Sequence, residues 1–259
     1  MNAELSAHLG QKDNDLPGDQ LIYIEASFPV SRRCLLLHQA AYFLRTGQGS
    51  VLFLLAEQGE SELLATGAKL GLQLERMKAN QRCALLSLLP SGVGEVDAKT
   101  LQESCLKALD SLQGLAGYHY FLVLLNMTTV LALRHAKGPN TLVLLDSLSA
   151  LLDLGLSPVQ IRSLLLTLSS SGACLAIANS APEEEEREYE LLAAWLREVC
   201  QLHFRLQPVA NGYCKDVTGR MEISQLRPGQ LVRQQSELHF LLGERGFKVM
   251  PPGTAAPIL

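Results

Sequence analysis

The chain has no large surplus of either charge: 22 Lys and Arg stand against 26 Asp and Glu over 259 residues. A net charge of -4 excludes a global electrostatic pull toward nucleic acid or an acidic membrane. Paired cysteines are missing too. Cys34, Cys83, Cys105, Cys174, Cys200 and Cys214 are widely spaced, never as Cys-x-x-Cys, and several fall in apolar runs. That pattern favours free buried thiols in a reducing compartment over disulfides or a metal site. No apolar run reaches the ~20 residues of a membrane span; the longest, 118–133, is interrupted by Asn126, Thr128 and Thr129. Residues 1–18 carry Glu4, Lys12, Asp13 and Asp15 ahead of any apolar run, so no secretory signal is read there. A soluble protein with no membrane partner is expected.

Enzyme signatures are equally scarce. A phosphate-binding loop needs Gly-x-x-x-x-Gly-Lys-Ser/Thr, because glycines let backbone N–H groups cradle phosphate and the lysine reaches its outer oxygens. After the first strand-like run the chain instead reads Glu25-Ala-Ser-Phe-Pro-Val-Ser-Arg-Arg-Cys34, without glycine or lysine. Phe28 and Pro29 oppose the backbone angles of an anion nest, and Glu25 repels phosphate. Arg32 and Arg33 remain as cations able to meet phosphate at a helix N-terminus. The other reading makes them solvated first-turn charges, poorly matched to the helix dipole. Gly47-x-Gly49 precedes a strand and lacks a third glycine, and no Gly-x-Ser-x-Gly elbow occurs. The histidines are scattered; His38 and His135 fall in expected helices and His203 and His239 in expected strands, so they read as packing or surface residues. No catalytic residue, cofactor or metal is expected.

What the chain does have is an alternation of apolar strands and amphipathic helices. Its centre is 141–149, Thr-Leu-Val-Leu-Leu-Asp146-Ser-Leu-Ser, an uninterrupted apolar run ending on a carboxylate. Such a run suits a strand covered on both faces, and in parallel sheets ligands sit beyond the strands' carboxyl ends, where Asp146 falls. P-loop ATPases hold magnesium with the same pattern; a helix cap or loop anchor is the alternative. Around it, strands are expected at 21–24, 50–55, 82–88, 173–178 and 201–207. Helices are expected at 31–47, 61–70, 96–112, 118–135, 158–168 and 184–200. From 209 to 259 the helices stop, and strand-like pieces at 213–226, 237–242 and 247–250 are separated by turns. The expected fold is α/β and RecA-like: a mostly parallel central sheet flanked by helices, with C-terminal antiparallel hairpin strands. The domain layout is a loose leader at 1–18 and one domain at 19–259, of which 209–259 extends the sheet. Glu183 to Glu186 read as a charged helix start suited to the dipole, and disfavour RNA contact there. Cationic candidates lie in the hairpins: Lys215, Arg220, Arg227 and Arg233.

Residues 144–155, Leu-Leu-Asp-Ser-Leu-Ser-Ala-Leu-Leu-Asp-Leu-Gly, are followed by Gly212-Tyr-Cys-Lys-Asp-Val-Thr-Gly219 and by Phe247-Lys248 with Pro257 near the end. In this order and spacing the chain resembles the family of sixth subunits of the Elongator complex. The resemblance runs from Leu21 across almost the whole chain and includes the missing phosphate loop. It implies a RecA-like fold without a Walker A loop, with Asp146 at a vestigial Walker B position that now holds loop structure. It also implies a six-membered ring with the fourth and fifth Elongator subunits, two copies of each, alongside the remaining subunits. That ring binds transfer RNA and supports modification of the wobble uridine, U34, in the cytoplasm and also the nucleus; any ATPase activity belongs to the assembled ring. On this reading Lys215, Arg220, Arg227 and Arg233 are candidates for contact with RNA or the neighbouring subunit. Two rivals remain: an ATPase using Arg32 and Arg33 in place of the lysine, and a degenerate RecA-like recombination accessory protein.

Overall fold

The computed structural model describes residue 5 and residues 21–28, 30–45, 49–57, 59–88, 97–113, 141–171, 173–180, 186–209, 217–227, 229–243 and 246–253. The expected helix at 118–135, the candidate Lys215 and the acidic residues 183–185 lie outside them. The strands are β1 (Leu21–Ala26), β2 (Ser50–Leu55), β3 (Cys83–Ser87), β4 (Thr141–Asp146), β5 (Cys174–Ser180), β6 (Leu202–Pro208), β7 (Gly219–Gln225), β8 (Gln234–Gly243) and β9 (Gly246–Met250). They form one sheet in the order β3-β2-β4-β5-β1-β6-β7-β8-β9. The first six are parallel; from β6 onward each pair is antiparallel. The α/β class, its mostly parallel sheet and its antiparallel C-terminal strands are as the sequence led us to expect.

The helices are α1 (Arg33–Arg45), α2 (Glu60–Lys69), α3 (Leu74–Ala79), α4 (Ala98–Gln113), α5 (Leu148–Asp153), α6 (Pro158–Ser170) and α7 (Arg187–Val199). They cover both faces, which is why β1 and β4 are buried at every position. Ile22, Ile24, Leu142 and Leu144 face α1, α2 and α3 in one core, to which Leu5 also belongs. Tyr23, Val143 and Leu145 face the second core, built from α4, α5, α6 and α7. In α7 the buried set is Tyr189, Leu192, Ala193 and Leu196, the i, i+3, i+4, i+7 stripe of a surface helix. Helix α6 begins on a capping box: Ser157 accepts from the Gln160 N–H while the Gln160 side chain accepts from the Ser157 N–H, with Pro158 next in line. Beyond β6 the layering is thinner. In β7 the buried residues Gly219, Met221 and Ile223 alternate with half-buried Arg220, Glu222 and Ser224, the pattern of a strand with one packed face. A Cβ on Gly219 would sit 2.3 Å from the Gln207 carbonyl and 2.7 Å from Phe240 Cζ, so only glycine lets β7 approach its neighbours there.

Candidate functional site

Parallel register aligns the carboxyl ends of the inner strands. Asp146 lies opposite Leu55 of β2 and Ala178 of β5, and Glu25 of β1 opposite Asn179. The residues that follow each apolar run, Glu57, Ser147 and Ser180, therefore gather at one edge around Asp146. Helix α1 begins over the same edge and brings Arg32 and Arg33.

These groups answer one another. Arg32, 8% exposed, donates from Nε to Asp146 Oδ1 at 2.8 Å and from its other nitrogens to Glu57 and Ser180. Arg33 donates from Nε to the second Asp146 oxygen at 3.2 Å and reaches Glu62 at 2.9 Å. Ser147 donates to Glu57 and accepts the Ala150 N–H, capping α5. Buried Asn179 accepts the Ser149 N–H at 2.8 Å and so fixes the start of the same helix. Arg32 is thus neither the phosphate ligand nor the solvated charge that its sequence position allows. It is a buried counter-ion, held by two carboxylates and a hydroxyl.

A magnesium nucleotide does not fit this arrangement. Both Asp146 oxygens carry guanidinium N–H groups, and the segment from Glu25 to Val30 supplies neither glycine nor lysine to wrap a phosphate. Two of its N–H groups are already taken: Ser27 N–H bonds the Leu206 carbonyl of β6 at 2.9 Å and Val30 N–H the Ser27 carbonyl at 2.9 Å. Phe28, 77% exposed, projects from this turn. Among the described residues no group of three or more His, Cys, Asp or Glu could hold a metal ion, and no helix is long and apolar enough to cross a membrane.

A second buried charge lies on the opposite face of β1. Glu25, 4% exposed, accepts from Arg197 of α7 at 2.6 and 3.3 Å. His203 Nε2 lies 3.4 Å from Oε2, the oxygen that also takes the Arg197 Nε–H, out of line for a hydrogen bond, and acts by proximity. Burial alone would raise the Glu25 carboxyl, but His203 and Arg197 outweigh it and hold the pKa down at about 2. Tyr23 stacks on the His203 ring at 5.2 Å and meets the Tyr189 hydroxyl at 3.4 Å; burial pushes both tyrosines' pKa values up. Glu25 thus serves as an internal ion-pair partner that ties α7 to β1. Among the described residues Cys34, Cys83, Cys105, Cys174 and Cys200 form no disulfide, and burial pushes the Cys83 and Cys105 thiols up to about 12, away from the reactive thiolate.

The hairpin cations part company. Arg220 bonds Gln207 at 2.9 Å across to β6 and pairs with Glu222 at 3.4 Å. Arg233 donates to the Glu198 carbonyl at 2.8 Å and the Cys200 carbonyl at 2.7 Å, satisfying groups left open at the end of α7. Arg227 is exposed, with no side-chain partner among the described residues. The structure therefore does not bring these three to one site with Asp146. Glu57, Ser147, Asn179 and Ser180 were not singled out from the sequence, although each follows or ends an apolar run, the same signal that marks Asp146.

A family model described as "Elongation complex protein 6" matches residues 3–242. The chain is 27% identical over 262 residues to "Elongator complex protein 6" of Danio rerio, covering 95% of each. It is 25% identical over 243 residues to the Xenopus laevis protein of that name, covering 87% of this chain and 88% of the other. With the Homo sapiens protein of that name it shares 23% identity over 201 residues, 75% of this chain and 76% of that one.

Proposed function

The chain belongs to the Elongation complex protein 6 family, and from that premise we propose that it is a non-catalytic structural subunit of the Elongator complex. In this reading it assembles with the fourth and fifth subunits, two copies of each, into a ring of RecA-like chains. The assembled ring binds transfer RNA and supports modification of the wobble uridine by the other subunits, in the cytoplasm and the nucleus. The observation that carries the non-catalytic part is the double guanidinium cover on Asp146. A carboxylate already paired on both oxygens offers a metal ion nothing unless two arginines leave it. The same cover speaks against Arg32 and Arg33 as stand-ins for a phosphate-binding lysine, since both are committed to carboxylates. The chain's work is then to present surfaces to neighbours.

The test is the native mass of the tagged full chain purified from its own cells, with bound proteins and RNA identified. The expected result is a six-membered assembly containing two other RecA-like proteins, with transfer RNA co-purifying. Recovery as a lone chain, or bound to a recombinase, would overturn the reading.

A further inference from the structure

Helix α6 packs between α4 and α7, and its buried stripe of Ile161, Leu164, Leu165 and Leu168 belongs to the core beneath them. Its opposite face is not the charged surface that such a helix usually presents to water. Val159, Arg162, Ser163 and Leu166 repeat the i, i+3, i+4, i+7 spacing there, with Ser170 one turn further; Val159 is 75% and Leu166 57% exposed. These residues line an open groove of about 710 Å³. Its one charged side chain, Arg162, lies with its guanidinium 5.0 Å from the centre of the Trp195 ring on α7. What remains is aliphatic groups and hydroxyls, a surface that favours an uncharged, apolar occupant.

We propose that residues 118–133 of this same chain dock in the groove and give α6 a second apolar neighbour. Composition, attachment and length select that occupant. The run 118–133 carries no Asp, Glu, Lys or Arg, and its Asn126, Thr128 and Thr129 suit the hydroxyls of Ser163, Thr167 and Ser170. It belongs to the stretch 114–140 that joins α4 to β4, and both attachments lie by α6. Upstream, α4 is tied to α6 by Gln102 Nε2, which donates to Thr167 Oγ1 at 3.3 Å. Downstream, Thr141 adjoins Leu142, which lies opposite Cys174, four residues beyond the end of α6. As a helix, 118–133 spans about 24 Å against about 20 Å for α6, at about 1.5 Å per residue. Residues 134–140 extend to about 23 Å, enough to return to Thr141. A segment tethered at both ends meets the groove at an effective concentration in the millimolar range, ahead of any free protein. The inference is independent of the subunit reading above.

The experiment places the photoreactive residue p-benzoylphenylalanine at Leu166 of the full chain, and at Phe28, also exposed, as the control. After irradiation the crosslinked peptides are mapped by mass spectrometry. The probe at Leu166 is expected to capture a peptide from 118–133 in a product of single-chain mass; the probe at Phe28 is expected to capture none of it. In parallel, chymotrypsin cleavage within 114–140 is timed for the wild type and for a Val159→Ser/Leu166→Ser double variant. The double variant is expected to be cut at least tenfold faster, because two aliphatic contacts that hold the segment are lost. Crosslinks from Leu166 to a second copy at double mass, to another protein, or to no peptide at all overturn the docking. So do capture of 118–133 from Phe28 and unchanged cleavage in the double variant. If the double variant does not fold, the crosslink alone decides. Capture of another protein at Leu166 overturns the docking and leaves the subunit reading standing.

Discussion

The two edges of the sheet treat exposure in opposite ways. At the carboxyl edge, polar groups gather where a parallel sheet usually receives ligands, yet Asp146, Arg32, Arg33, Glu57, Ser147 and Ser180 consume one another's hydrogen-bonding capacity. At the amino edge, Leu231 and Val232 stand in water on the β7–β8 turn, where Arg233 is tied to the end of α7. The first edge has the location of an active site and the chemistry of a closed one. The second, among the described residues, carries exposed aliphatic side chains where the first carries paired charges. Position in a fold therefore does not assign function; the state of the groups at that position does.

The comparison breaks most visibly at Arg32. Replacing it with Met leaves Asp146 and Glu57 facing each other with one guanidinium removed from a nearly buried site, and removal of one buried partner costs about 3–5 kcal/mol. Urea denaturation of the full chain should show that loss as a lower midpoint at unchanged slope. Adding Asp146→Leu should recover part of it, because an apolar pair does not carry the desolvation penalty.

The interior ion pair on the other face of β1 makes a pH prediction. Glu25 is held at about 2 in the folded chain against an ordinary value of 4.5. A depressed carboxyl contributes stability that is present above 4.5 and lost as pH falls toward 2. The difference corresponds to on the order of 3 kcal/mol, since one pKa unit is about 1.36 kcal/mol. Stability measured from pH 6 to pH 2.5 should therefore fall more steeply in the wild type than in Glu25→Gln; parallel curves would contradict the assignment.

Smaller effects follow toward the hairpins. Gly219→Ala pushes a methyl against the Gln207 carbonyl and Phe240, and overpacking of this kind costs about 1–3 kcal/mol. The midpoint of the same urea transition reads it. At the far end, Leu231→Ser should change stability by no more than about 0.5 kcal/mol, the range of surface substitutions. A larger loss would mean that the residue packs within its own chain.

Much of this architecture is legible in the sequence, and the failures have a common cause. Strands β1, β2, β4 and β5 announce themselves as unbroken apolar runs because both of their faces are covered. The switch to one-sided β7 appears where alternation replaces those runs. Helices α3 and α5 escape notice, being six residues each and too short for a 3.6-residue period to declare itself. Asp146 is legible from its place at a strand end. Its partner Arg32, 114 residues earlier, is not, because the pairing exists only once β5 has set β1 and β4 two strands apart. Arg233 is opaque for a related reason: its acceptors are backbone carbonyls, which leave no mark in the residue types. The family resemblance, carried by spacing around Asp146 and Gly219, is upheld by the match over residues 3–242.

The closed carboxyl edge is the account's central claim, and nucleotide titration tests it most directly. The full chain would be melted with increasing magnesium ATP, because any ligand bound to the folded state alone raises the midpoint with concentration. The account predicts no shift at millimolar nucleotide for the wild type. A saturable rise in the midpoint that disappears in Asp146→Asn would contradict it, showing that the arginines release Asp146 and that the site takes nucleotide after all.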